Sequence, residues 1–177
     1  ATLVICPNQL CNQWSREVTK MIDRKGVNIV LMLTKNHFDK YTYQEMLDAD
    51  FVIVSYNFIN NVNFTSKFVS KISKQKSYCT SKLWDQVAVE KLFKEMSDNL
   101  VKDASSLFNK QPIFPLIYWH RIIVDEFHEA YTVSKYKAVE NMMPLLKSKY
   151  KWVVSGTPFD AGSGCFFKMF DFTTNYN

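Results

Sequence analysis

A chain of 177 residues, 47% of them hydrophobic, has the size of one domain with a substantial apolar core. No apolar run approaches the roughly 20 residues of a membrane span, and the opening Thr2-Leu-Val-Ile-Cys6 lacks the basic leader of a secretory signal. Lys and Arg outnumber Asp and Glu by 22 to 17, a mildly basic balance that admits a phosphate-bearing partner without requiring one.

Five short apolar runs punctuate the chain: Leu3-Val-Ile-Cys6, Val27-Asn-Ile-Val-Leu-Met-Leu33, Phe51-Val-Ile-Val54, Ile122-Ile-Val124 and Trp152-Val-Val154. Most are rich in Val and Ile and do not alternate with polar residues, the pattern of parallel strands buried on both faces. Between the first two runs, Leu10, Trp14, Val18 and Met21 recur every three or four residues and predict a helix with one apolar stripe. Strand, helix, strand in this rhythm predicts an α/β fold with right-handed crossovers.

From about residue 60 to 115 the rhythm breaks. Asn61 to Ser81 is rich in Lys, Ser and Asn with weak periodicity, whereas Trp84, Val87, Ala88, Leu92, Met96, Leu100, Ala104 and Leu107 line one side of a predicted helix. We read 60–115 as an insertion in a lobe spanning 1–177; an integral crossover helix with a long loop is the other reading. The four cysteines, Cys6, Cys11, Cys79 and Cys165, contain no C-x-x-C pair, so neither a zinc site nor a disulfide scaffold is expected. Cys6 and Cys165 lie in or near apolar stretches, where reduced buried thiols are usual, and a reducing compartment follows.

Chemistry concentrates in Arg121-Ile-Ile-Val-Asp-Glu-Phe-His-Glu-Ala130. An apolar strand ending in two carboxylates places them at the C-terminal edge of the sheet, where open α/β sheets bind ligands. Asp125 is positioned to hold Mg²⁺ through its water shell, and Glu126 to orient or deprotonate an attacking water. His128 is two residues on. The same pair would also serve simply as the acidic start of a helix. Downstream, Lys151-Trp-Val-Val-Ser-Gly-Thr-Pro158 is a second strand, ending in hydroxyls around a glycine. Alone it reads as a Ser-Gly turn with a proline stop. An acidic strand followed about thirty residues later by such a strand is far rarer than either piece.

In that order and spacing the two segments resemble motifs II and III of superfamily-2 helicases in their Swi/Snf-type version, a DEAH-like box and S-G-T-P. Thr2-Leu-Val-Ile-Cys-Pro-Asn-Gln-Leu-Cys-Asn-Gln-Trp14 with Glu17 resembles motif Ia, Asp50-Phe-Val-Ile-Val-Ser-Tyr56 resembles motif Ib, and the Trp119-His-Arg-Ile-Ile lead-in is similar to the same family. The likeness covers residues 1–59 and 116–160. It implies the first RecA-like lobe of a DNA-dependent ATPase: a parallel sheet flanked by helices, with ATP and Mg²⁺ as cofactors and duplex DNA and a second RecA-like lobe as partners. It further implies that Asp125 and Glu126 serve Mg²⁺ and the hydrolytic water. His128 would link the nucleotide to Ser155 and Thr157, and Pro7, Asn8, Gln9, Ser55 and Tyr56 would lie along the DNA backbone. Such backbone contacts are blind to sequence and sensitive to salt. Core packing is the other reading of Tyr56 and Trp14, and the preferred one for Trp14, on the apolar stripe.

The departures also matter. Phe127 stands where the family has a small residue, and Asn8 replaces a commoner Ser or Thr. The glycines Gly26, Gly156, Gly162 and Gly164 form no G-x-x-x-x-G-K-[ST] loop. That loop is expected upstream and the second lobe, with its arginine finger, downstream, so the chain is expected to be an inactive fragment of an ATP hydrolase. Because the strand feeding the loop lies mid-sheet in this family, a gap or a rearranged strand order is expected. Two other readings compete: a non-catalytic nucleic-acid-binding or scaffold domain of degenerate helicase fold, and a metal-dependent hydrolase built on Asp125, Glu126, His128 and His120. The lysine- and asparagine-rich stretches are compatible with a viral or AT-rich genome, and the expected location is nuclear or cytoplasmic, a viral factory included.

Overall fold

The computed structural model describes residues 1–22, 26–61, 86–109, 111–132, 136–159 and 162–174. Trp84, Cys79 and the Lys/Ser/Asn-rich stretch beyond Asn61 lie outside them. Five parallel strands form one sheet: β1 (Thr2–Cys6), β2 (Ile29–Met32), β3 (Phe51–Ser55), β4 (Tyr118–Asp125) and β5 (Lys147–Val154), in the order β2-β3-β1-β4-β5. Four predicted runs fall within strands, and β2 occupies only the middle of the fifth, Val27 to Leu33. β4 and β5 begin earlier than their apolar runs, because their first halves are amphipathic. In β4 Trp119 is buried while Tyr118 and His120 face out, and the Trp119 indole donates to the Phe114 carbonyl at 3.2 Å. β5 is an edge strand and does not need a continuous apolar run.

The expected gap is absent. β1 pairs directly with β3 on one side and with β4 on the other, so the sheet is continuous. The register aligns Ile5 with Val124 and Asp125 with Val154, which brings the C-terminal tips of β1, β4 and β5 together.

Helices cover the two faces unequally. Leu3, Ile5, Val52, Val54, Ile122 and Val124 face a large core. It is closed by α2 (Lys35–Phe38), α3 (Tyr43–Asp48), α4 (Tyr56–Ile59), α6 (Phe127–Thr132), α7 (Lys137–Met142) and α8 (Ser163–Thr174). The opposite face, with Val4, Cys6, Ile53 and Ile123, is covered by α1 (Asn8–Met21), which packs over β3 and β2. The buried line of α1 is Cys11 and Val18, flanked by half-buried Leu10 and Trp14. Met21, predicted on that stripe, is 82% exposed. Beyond α1, on the same side of the sheet, Tyr150, Trp152 and Val154 of β5 are exposed, and the Arg121 guanidinium lies 5.0 Å from the Trp152 ring centre.

The helix predicted from Trp84 to Leu107 is observed as α5 (Gln86–Lys102). It stops because the Asp103 carboxylate accepts the Ser105 N–H at 3.0 Å, a local bond that competes with the helical ladder. Leu107 then sits in a 3₁₀ turn, Ala104–Phe108, and packs with Met96 against the core. Cys6, Cys11 and Cys165 are buried free thiols.

Candidate functional site

β4 delivers Asp125 to the C-terminal edge of the sheet, half-buried, and the chain then turns sharply into α6. The turn is made by Glu126 with φ of +50°, a left-handed conformation that a non-glycine residue adopts at a cost of order 1 kcal/mol. Several hydrogen bonds hold it. The Asp125 Oδ1 accepts the Glu126 N–H at 2.9 Å, and the Glu126 carbonyl accepts the Glu129 N–H at 2.9 Å. The Tyr56 hydroxyl donates to the Asp125 carbonyl at 2.7 Å and leans toward that of Glu126 at 3.4 Å. The Trp14 indole N–H donates to Asp125 Oδ2 at 2.8 Å. Burial keeps the Tyr56 phenol protonated well above its ordinary range, so it remains a donor.

Phe127 is fully buried, stacked on Tyr131 with centroids 4.8 Å apart and tilted against Phe172 at 5.9 Å. The bulky ring at this small-residue position is therefore housed in the core between α6 and α8. At the second position of α6, His128 Nδ1 lies 2.9 Å from Ser155 Oγ, just past the tip of β5, and 3.4 Å from Glu126 Oε2. In the neutral tautomer that carries its proton on Nε2, Nδ1 accepts the Ser155 hydroxyl. As imidazolium it donates toward either partner. Thr157 joins through its backbone N–H, which Ser155 Oγ accepts at 3.2 Å, while its side chain is exposed. Asp125, Glu126, His128, Ser155 and Thr157 are thus brought to one edge.

The residues expected along DNA divide into two groups. Asn8 and Gln9 are exposed in the first turn of α1, whose N-terminus follows the buried Pro7 and carries no acidic residue. Ser55 and Tyr56 are fully buried, which corrects the expectation that they face a phosphate. Ser55 Oγ caps α4 by accepting the Phe58 N–H at 3.0 Å, and Tyr56 is spent on the acidic turn. Their hydroxyls are local structural groups in this fold. His120 does not join the acidic cluster. It lies five residues up β4 from Asp125, about 16 Å along the strand, edge-on to Tyr150. The four-residue metal-hydrolase arrangement is therefore not assembled.

Sequence reasoning missed Trp14, which is both core and site. An indole on an apolar stripe always carries an N–H that needs a partner when partly buried, and that was the available signal. Beside it, Cys6 and Cys11 place their sulfurs 3.4 Å apart. The hydrogen bond it donates to Cys11, burial and the nearby Cys11 and Asp125 charges hold the Cys6 thiol protonated, and accepting that bond lowers Cys11.

A continuous parallel sheet whose acidic strand tip is joined through a histidine to the hydroxyl turn of its neighbour defines a RecA-like α/β lobe. The chain belongs to the SNF2-related domain family, which matches residues 1–175. It is 23% identical over 158 residues to transcription termination factor 2 of Drosophila melanogaster, covering 89% of this chain and 10% of the relative. It is 27% identical over 175 residues to an uncharacterized ATP-dependent helicase of Schizosaccharomyces pombe, covering 97% of this chain and 14% of the relative. The SWI2/SNF2 ATPase core of Sulfolobus solfataricus, solved in complex with dsDNA, superposes with a TM-score of 0.53 at 16% identity. That superposition covers 98% of this chain and 25% of the other, and it shows the shared fold. No helix among the described residues is long and apolar enough to cross a membrane.

Proposed function

We propose that this chain forms part of the first lobe of a DNA-dependent motor in which ATP hydrolysis drives translocation on, or remodelling of, duplex DNA. The observation that carries the reading is the joined pair of strand tips, Asp125-Glu126 on β4 and Ser155 on β5, bridged by His128. Bound with ATP, Mg²⁺ would neutralise phosphate charge. The donor set suits it: Asp125 offers hard carboxylate oxygens, each engaged by a single protein donor and so keeping a lone pair for a metal-bound water. Glu126, its side chain 34% exposed, would orient and deprotonate the attacking water. His128 and Ser155 would relay the state of that site to the turn carrying Thr157.

On the DNA side, the exposed Asn8 and Gln9 and the start of α1, which no side chain caps, suit a backbone phosphate. A reducing compartment, nuclear or cytoplasmic, fits the three buried free thiols.

Hydrolysis also needs a phosphate-cradling loop, which none of the four glycines of this sequence supplies. A DNA-binding or scaffold domain without catalysis is the other reading. The two separate in a polypeptide that carries this chain together with such a loop and a second lobe. DNA-stimulated ATP turnover that falls about a hundredfold or more in Glu126→Gln supports the motor. Turnover indifferent to the substitution refutes it, and DNA binding with no turnover at all favours the scaffold. The chain alone is expected to hydrolyse no ATP with DNA and Mg²⁺. Turnover near ~1 per second that Glu126→Gln abolishes would show the loop argument to be wrong.

A further inference from the structure

We propose that Trp14 is a positioning residue for the metal-binding carboxylate: its indole N–H fixes the plane of the Asp125 carboxyl group. The inference rests on the reading that Asp125 holds the ion, and it deepens that reading by naming what holds Asp125.

The geometry is specific. The bond joins α1 to the tip of β4 across 111 residues of sequence at 2.8 Å, the length of a charge-assisted hydrogen bond. It falls on Oδ2, while the backbone N–H of Glu126 falls on Oδ1 at 2.9 Å. A carboxylate held by one oxygen still swings about its Cβ–Cγ bond. Held by both, it has a defined plane, and its remaining lone pairs have defined directions. Behind the group, the Tyr56 hydroxyl ties down the Asp125 carbonyl and the left-handed turn at Glu126. Trp14 is thus the one side-chain donor, among the bonds described above, that acts on the carboxylate itself. Its ring packs with Cys6, Cys11 and Ile123 on the α1 side of the sheet, which fixes the indole before any ion arrives. The placement also joins α1, whose first turn carries Asn8 and Gln9, to the acid, so a displacement of that helix would turn the carboxylate.

The probe is Mn²⁺ added to the full 177-residue chain, read by broadening of amide and indole resonances. Four tryptophans give four indole signals, and the Trp14 signal is identified by its loss in Trp14→Phe. In the wild type, Mn²⁺ should broaden the Trp14 indole and the Glu126 and Phe127 amides first, and Asp125→Asn should abolish this. Trp14→Phe keeps an aromatic ring and removes the donor. It should require about tenfold more Mn²⁺ for the same broadening at Glu126, the low end of what partners of metal-binding carboxylates contribute. Loss of ring packing alone would lower the melting temperature without that change.

If Trp14→Phe responds to Mn²⁺ as the wild type does while Asp125→Asn does not respond, the positioning role is wrong and the metal reading stands. If the wild type is not broadened, or Asp125→Asn is broadened equally, the metal reading fails and takes this inference with it. Should Trp14→Phe not fold, hydrogen exchange in the wild type decides. The Trp14 indole proton should exchange at least about tenfold more slowly than in Asp125→Ala, as one charge-assisted bond implies; equal rates overturn the proposal.

Discussion

Replacing Phe127 by alanine should cost about 4 kcal/mol of folding stability. The ring is 0% exposed, stacked 4.8 Å from Tyr131 and tilted 5.9 Å from Phe172, so truncation removes buried surface and leaves a hole between α6 and α8. Buried Phe→Ala changes cost about 3–5 kcal/mol, the spread reflecting how far neighbours collapse into the space. Tyr131 is only half-buried and can relax, whereas Phe172 is fixed on α8, so the middle of that range applies. At about 2–4 °C per kcal/mol for a chain of this length, the melting temperature should fall by about 8–16 °C. Urea unfolding followed by circular dichroism measures it, with the slope unchanged if both states keep their compactness. Phe127→Leu, closer in volume, should lose roughly half as much or less. A loss below about 1 kcal/mol for the alanine variant would mean that the ring is not part of the core, and the account of how this site accommodates a bulky residue would fall.

Other perturbations follow from the same contacts. Thr42→Ala removes the capping box of α3, in which Thr42 Oγ1 accepts the Glu45 N–H at 3.2 Å and Glu45 returns the bond at 2.7 Å, and should cost about 1 kcal/mol in urea unfolding. Tyr56→Phe leaves the part-buried Asp125 carbonyl without its 2.7 Å donor and should cost about 1–3 kcal/mol, with little loss of ring packing against Tyr136. Glu140 is partly desolvated, which raises its carboxyl pKa, but hydrogen bonds from Lys137 and Lys168 outweigh this and depress it. The contribution of this group is therefore complete above the ordinary carboxylate value and is lost as pH falls through the depressed one. Glu140→Gln should be less stable than wild type near neutral pH, the difference closing as pH falls from the ordinary carboxylate range through the depressed value; a constant difference across that fall would show that the lysine contacts carry no charge dependence.

How far the residues foretold these contacts depended on what each side chain had to satisfy. β1 and β3 are buried on both faces, and their unbroken Val/Ile runs could be read as strands directly. β5 lies at an edge and interleaves Lys147, Lys149 and Lys151 with its apolar residues, so its first half showed no strand signal. The meeting of the acidic and hydroxyl-bearing tips was legible because two rare segments occurred in order, and the structure puts His128 on Ser155. The bonds from Trp14 and Tyr56 were not legible. Both side chains sit at positions suited to packing, and their polar tips reach partners 111 and 69 residues away, a separation that local patterning does not report. Ser55 and Tyr56 were expected along DNA only through the family resemblance, with core packing the other reading of Tyr56, and a hydroxyl at a strand end reads alike whether it faces outward or bonds inward.

Among the described residues no strand pairs with the outer flank of β5. Its outer row of amides and carbonyls is a template onto which another extended segment can add. Lys147, Lys149 and Lys151 act as gatekeepers against self-association over the first five residues, but Trp152, Val153 and Val154 carry no charge, and Trp152 is 53% exposed. Concentrated solutions should therefore aggregate by strand addition at that end, and a lysine at Val154 should raise the soluble limit.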